Sequence, residues 1–183
     1  FWFMMPAVIG QSAFNTAFFF QQVHFSEIKG WEHLNLVSMF PVYTGVAICM
    51  MILSGILLDK LGTAKLIPYF QLPMIIAFIL FAFGETLYSA LLGFIFLGIT
   101  SGANTTLPNA FWAEFFGTKH LGSIKALTTA LMVFATAFGT AIFGILIDAG
   151  FSIEQISLVS ATYISISIIS LFFIRKNLNP IKI

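Results

Sequence analysis

The chain has 183 residues, of which 59% are hydrophobic and only 8% charged, with a mean hydropathy of +1.00. Soluble domains carry charged residues at about 25%, and a chain this short has too little interior to hide so much apolar surface. A water-soluble globule is excluded, and lipid must be the solvent. The net charge of +1 carries no nucleic-acid signature, and the single cysteine, Cys49, excludes a disulfide framework and a thiol-based metal motif.

The charges divide the chain into six uncharged runs, residues 1–26, 33–58, 66–84, 86–113, 126–147 and 155–174. A helix needs roughly 20 apolar residues to cross a hydrocarbon core of about 30 Å, and every run meets that length to within a residue. Barrel strands would alternate over ~10-residue segments, which no stretch here does. With no water for the backbone inside the bilayer, helices remain. The pattern predicts an all-α integral membrane domain of six transmembrane helices, a to f, over about 1–26, 34–58, 66–84, 87–112, 126–147 and 155–174. Phe1-Trp2-Phe3 opens inside an apolar helix with neither a start Met nor a basic leader, so further chain is expected upstream.

Helix a carries Gln11, Asn15, Phe18 and Gln22 at steps of four, three and four, one helical face. Amides in mid-span are costly unless paired or wetted, which makes Gln11 and Asn15 candidates to line a cavity, with Gln22 nearer its mouth. His24 reads as an interfacial histidine, with a proton carrier as the alternative. Helix d presents Ser101, Thr105, Pro108 and Trp112 on one face, with Asn104 beside them. Gly98 and Gly102 form a small-xxx-small pair suited to close helix packing. Helix e offers Lys125, Thr129, Met132, Thr136 and Thr140. Its threonines and the serines of helix f read as interhelical hydrogen bonds, worth about 0.6 kcal/mol each. No Asp, Glu, Lys or Arg falls deep inside a span, where proton and ion relays usually sit. The coupling site therefore lies in another part of the protein, or the protein is a facilitator.

Seven of the eight basic residues fall on alternate loops: Lys60 and Lys65, Lys119 and Lys125, and Arg175, Lys176 and Lys182 in the tail, against Lys29 alone on the other side. The positive-inside rule makes the richer side cytoplasmic, and both ends of the chain then face the cytoplasm. Trp31 and Tyr88 are expected in an outer aromatic belt, Tyr69 and Trp112 in an inner one.

Between helices b and c runs Gly55-Ile56-Leu57-Leu58-Asp59-Lys60-Leu61-Gly62-Thr63-Ala64-Lys65. Gly62 suits a chain reversal, and Asp59 suits the positive end of a neighbouring helix. The stretch resembles the major facilitator superfamily signature, Gly-x-x-x-Asp-Arg/Lys-x-Gly followed by cations, carried in the cytoplasmic loop between the second and third helices of each six-helix half. Phe18 to His24, then Lys29-Gly30-Trp31, is similar to the end of that family's seventh helix. Trp112 to Lys125, which includes Glu114, looks like its loop between helices ten and eleven, and Gly144 to Gly150 like the outer end of helix eleven.

The resemblance covers essentially the whole chain. It implies helices seven to twelve, one half-bundle of a major-facilitator fold whose amino-terminal half is missing here. The activity implied is secondary transport of a small solute by alternating access, without cofactor or metal, in a bacterial inner membrane. It implies a cavity lined by helices a and d and flanked by b and e, and an Asp59 that closes the cytoplasmic side against the other half. The most similar branch, the monocarboxylate and oxalate–formate carriers, implies an organic anion. The chain departs from that branch in two places: helix b has no Arg, and Thr140 follows Gly139 where a Pro often stands.

Rival readings fare worse. A mitochondrial-type carrier would repeat a Pro-x-Asp/Glu-x-x-Lys/Arg element, which is absent. An intramembrane protease needs a Gly-x-Ser and a facing His, but Gly10-Gln11-Ser12 shares its helix with His24, ~18 Å away by rise. A six-helix channel or homodimeric pore remains the alternative, although no segment resembles a filter.

Overall fold

The computed structural model describes residues 1–177, with side chains as far as Phe172, and the described residues are helical throughout apart from turns and short connections. The tail cations Arg175, Lys176 and Lys182 lie outside the described side chains. In chain order the helices are α1 (Met5–Phe20), α2 (Gln22–Ile28), α3 (His33–Val37), α4 (Phe40–Leu61), α5 (Thr63–Leu66), α6 (Leu72–Phe83), α7 (Leu87–Phe116), α8 (Leu121–Asp148) and α9 (Ile153–Asn177). Among the described residues four rods are long and apolar enough to cross a membrane: His33–Leu61, Leu87–Phe116, Leu121–Asp148 and Ile153–Phe172.

The departures from the expected spans trace mostly to proline. Residues 66–84 are helical only over the 12 residues Leu72–Phe83, about 18 Å of rise against a core of about 30 Å. Pro68 and Pro73 are the cause, since each lacks an N–H and its ring opposes the carbonyl four residues back. The chain turns between α5 and α6 instead. Pro41 likewise has nothing to donate to Val37, the last residue of α3, and a turn at Ser38–Met39 precedes α4. Residues 1–26 divide at Gln21, yet the Gln21 N–H still reaches the Ala17 carbonyl at 3.0 Å and the Phe25 N–H reaches that of Gln21 at 3.0 Å. Conversely, α7 runs on to Phe116 and α8 begins at Leu121. Charge marks where a helix leaves hydrocarbon, not where it ends.

Helix α4 packs on α7, α1 on α8, α6 on both α7 and α9, and α9 on α1. Exchanging the first three segments for the last three leaves this set of contacts unchanged, as an internal repeat would. The sequence echoes it. Gly55-Ile56-Leu57-Leu58-Asp59 lies in the last two turns of α4 and Gly144-Ile145-Leu146-Ile147-Asp148 ends α8, each followed within three residues by a glycine at positive φ, Gly62 (79°) and Gly150 (83°). The small residues allow close crossings. A Cβ on Gly98 would stand 2.7 Å from the Tyr43 carbonyl oxygen of α4, and one on Gly139 would stand 2.9 Å from that of Ala13 on α1.

The interior has two large apolar clusters, beside a small one of Ala17, Phe143 and Ile156. One gathers Phe18, Phe25, Phe78, Phe81 and Phe94 with Leu36 and Ile153; Phe18 stacks on Phe81 at 4.2 Å between ring centres. The other gathers Met4, Met5, Ile67, Phe70, Phe111 and Trp112. In lipid such clusters gain by van der Waals packing rather than by escape from water. Phe18 is thus a core residue, not part of a cavity stripe. Trp31 and Trp112 are buried as well, at 8% and 1% exposure, which corrects their assignment to aromatic belts. Trp31 donates through Nε1 to the Glu85 carbonyl at 3.0 Å, and Trp112 packs on Phe1, Phe111 and Phe116. Tyr88, at 82% exposure, does point outward.

The connections after α2, α6 and α8 share one end of the bundle. There Lys29 Nζ donates to Glu154 Oε1 and to the Ala82 carbonyl, both at 2.8 Å. The connections after α4 and α7 lie at the opposite end, where Ser170 Oγ donates to the Phe3 carbonyl at 3.3 Å. The alternation expected from the charges is therefore present in the fold.

Candidate functional site

Between the two apolar clusters lies a polar layer. Asn104 Nδ2 on α7 donates to Gln11 Oε1 on α1 at 2.8 Å. Asn15 Nδ2, one turn further along α1, donates to Tyr43 Oη on α4 at 3.3 Å, and Tyr43 Oη donates to Ser101 Oγ on α7 at 3.0 Å. The layer continues behind them, where the fully buried Gln71 donates to the Ala7 carbonyl and accepts from Ser167 Oγ of α9 at 3.1 Å. Four of the six expected cavity residues are thus linked, Gln11 to Asn104 directly and Asn15 to Ser101 through Tyr43.

These groups are not fully satisfied. The side-chain oxygens of Asn15, Asn104 and Gln22 are buried without a hydrogen-bond donor among the described residues. A buried acceptor left unpaired costs about 1–3 kcal/mol, so the layer carries a cost in stability that the apolar clusters do not. Pro108 adds to this, because it has no N–H for the backbone carbonyl of Asn104. Gln11 is 5% exposed and stands behind the wall, holding Asn104. Gln22 lies apart, just beyond the break at Gln21.

Two cavities flank α7. The larger, about 300 Å³, opens between α7 and α8 and is lined by Asn104, Thr105, Asn109, Trp112, Lys125 and Thr129, among others. The smaller, about 190 Å³, lies between α7 and α4 along Tyr43, Thr44, Ser101 and Thr105. Thr105 borders both. Two further cavities, of about 320 and 120 Å³, are almost wholly apolar, as is the smaller of the two beside α7. The threonines of α8 do not bridge helices as expected. Thr128, Thr136 and Thr140 each donate to a carbonyl three or four residues back on their own helix.

At the opposite end from Lys29, Gly62 closes α4 at φ 79° and ψ 156°, backbone that a side chain resists. Asp59, Lys60 and Lys65 are exposed, and Asp59 has no partner among the described residues. Glu114 is half-buried near the end of α7 and is likewise unpaired there; the one ion pair among the described residues is Lys29–Glu154.

Tyr43 and Gln71 escaped the reading of the sequence. The cost argument that singled out Gln11 applies equally to Gln71, an amide inside an apolar run, and would have found it. Tyr43 gave less signal, since a tyrosine inside a span packs as often by its ring as by its hydroxyl. Residues 1–140 match the family model described as Major Facilitator Superfamily. No curated protein and no solved structure matches the chain.

Proposed function

Since this chain belongs to the Major Facilitator Superfamily, a family of multi-pass secondary transporters and not of enzymes, we propose that it forms the carboxy-terminal six-helix half of a permease. In this reading the two broken segments, α1 with α2 and α5 with α6, complete six spans beside the four long rods. The end bearing Asp59 faces the cytoplasm, and the membrane is a bacterial inner membrane. The solute binds against the polar layer, with Asn15, Ser101, Asn104 and Thr105 as contacts, Gln11 as their support and Gln22 toward the mouth. Gly55, Asp59, Lys60, Gly62 and Lys65 form the cytoplasmic gate, and the loop between Glu114 and Lys125 lies beside it.

The observation that carries this reading is the bareness of two helices. In the most apolar stretch of the rod His33–Leu61, 6% of residues are buried, and in α8 11%, against 50% in α7 and 44% in α9. Lipid alone does not account for them. Gly45 and Gly55 sit inside α4 with nothing within 4 Å of where a Cβ would be, although an interior glycine costs about 1 kcal/mol relative to alanine. Close approach of another helix supplies the missing reason. Alternating access by rocking of two halves around a midplane site requires these flanking helices to form the contact.

Splitting the gene tests this. The 183-residue segment expressed alone should insert and move no solute into vesicles, and co-expression with the upstream half should restore uptake. Uptake by the segment alone at the rate of the full chain would instead support a homodimeric pore.

A further inference from the structure

We infer that Lys29 is a latch that fastens α2, the outer section of the first segment, to α6 and α9, and that the break at Gln21 is a fixed bend and not a hinge. Outer here means the end opposite Asp59. Lys29 is the one basic residue expected on that side, against seven on the other. The positive-inside rule disfavours a cation there, and a residue of an ordinary outer loop faces water. The Lys29 side chain is 9% exposed, and its ammonium is committed within the chain to Glu154 and the Ala82 carbonyl. Both partners stand at helix ends. Ala82 lies in the last turn of α6, where carbonyls lack partners within the helix and the partial charge is negative. Glu154 lies in the first turn of α9, where an anion is favoured. Lys29 is itself the residue that closes α2. One side chain thus joins three helix ends, with positive and negative alternating from each group to the next.

The bend itself is braced. Gln21 sits at φ −96° and ψ 11°, yet the backbone bonds that enter and leave it persist. Phe18 and Phe25, both buried, meet across it with ring centres 5.0 Å apart. At the far end of α1 the same two elements take hold again. Tyr163 Oη of α9 donates to the Pro6 carbonyl at 3.3 Å, and Gln71, at the start of α6, donates to the Ala7 carbonyl. The first segment is therefore tied to α6 and α9 on both sides of the break. Swinging α2 away would separate the ion pair, and a buried charge left without its partner is strongly unfavourable. Lys29 thus serves as a positioning residue for α2, whose Phe25 and Ser26 are held against the bundle.

Thiol labelling tests this without any solute, so its outcome is independent of the transporter reading. Ser26 is 1% exposed and emerges only if α2 lifts. In the detergent-solubilised full-length protein, freed of other cysteines, Ser26→Cys should react with a maleimide at least a hundredfold more slowly than Tyr88→Cys. Adding Lys29→Met should speed the reaction at position 26 at least tenfold, as a local opening does. Lys29→Arg, which keeps both bonds in reach, should stay within threefold of the parent. Ala103→Cys, as deeply buried in the other cluster, should not respond to either change, which separates lifting of α2 from general loosening. Hydrogen exchange on the chain with its native Ser26 gives a second measurement: the amides of 22–29 should exchange faster in Lys29→Met, and those of α4 and α7 should not. A thiol at position 26 that reacts in the parent like one at 88 would make Gln21 a hinge and overturn the inference. So would an unchanged rate in Lys29→Met, or a parallel rise at position 103.

Discussion

Asp59 stands in the last turn of α4, where the helix C-terminus carries a partial negative charge that a carboxylate disfavours by roughly 0.3–1 kcal/mol. Lys60 beside it offsets part of that cost. Local stability therefore does not explain the residue, whereas a helix N-terminus on a docking partner does. Asp59→Asn is expected to leave thermal stability in detergent unchanged or slightly raised. It should lower the maximal transport rate and alter the labelling of cavity cysteines. Asn15→Ala and Gln11→Ala should do the converse, weakening binding by about 1 kcal/mol for each lost hydrogen bond. Apparent affinity also falls when the competent state is depopulated, so binding is compared in a conformationally locked background. If both alanine variants bind there like the parent, the amides of α1 serve packing alone.

At the scale of elements, the two kinds of glycine make opposite demands. A Cβ on Gly102 would run into the Ala47 carbonyl of α4, backbone that cannot swing aside. Gly102→Val should therefore force α4 off α7 and destabilise the protein by roughly 1–3 kcal/mol, whether or not the other half is present. Gly55→Val meets nothing within the chain. It should be tolerated by the isolated 183-residue segment and should abolish uptake by the whole transporter. Thermal melts of both variants in both contexts give the comparison, and equal behaviour in the two contexts would remove the argument from the bare face of α4.

Much at this scale was legible in the sequence, and the reasons for the rest are physical. Uncharged runs marked the segments because a charge at mid-bilayer is expensive, and alternating cations gave the alternation of ends. Segmenting by charge ignores the backbone, so the breaks before Pro41 and around Pro68 and Pro73 went unseen. Burial was misjudged at Trp112 because an aromatic ring suits an interface and a core equally. The residue types of the polar layer were recognised, but their pairing was not, since Gln11 and Asn104 lie 93 residues apart.

For the molecule as a whole, orientation is the quantity to measure. Single cysteines at positions 88 and 151, both exposed, in a Cys49-free background, should react with an impermeant maleimide from outside the cell. Cysteines at 60 and 118, exposed at the opposite end, should react only after the membrane is opened. Position 63 would mislead, because Thr63 is buried at 2% exposure. The reverse labelling pattern would invert the topology and put Asp59 outside.

The polar layer between the two phenylalanine-rich clusters also works as a seam. Each cluster is close-packed and resists deformation, while the bonds across the seam are single, weak and exchangeable, at about 0.6 kcal/mol each in comparable membrane proteins. Bending is thus concentrated in the layer proposed above to hold the solute. A search for heat-resistant variants would be drawn to this plane, where replacing amides and hydroxyls by leucine and alanine removes unpaired acceptors and joins the clusters into one block. Such variants would be sturdier and immobile, because the defect that limits stability is the articulation that lets the carrier turn over.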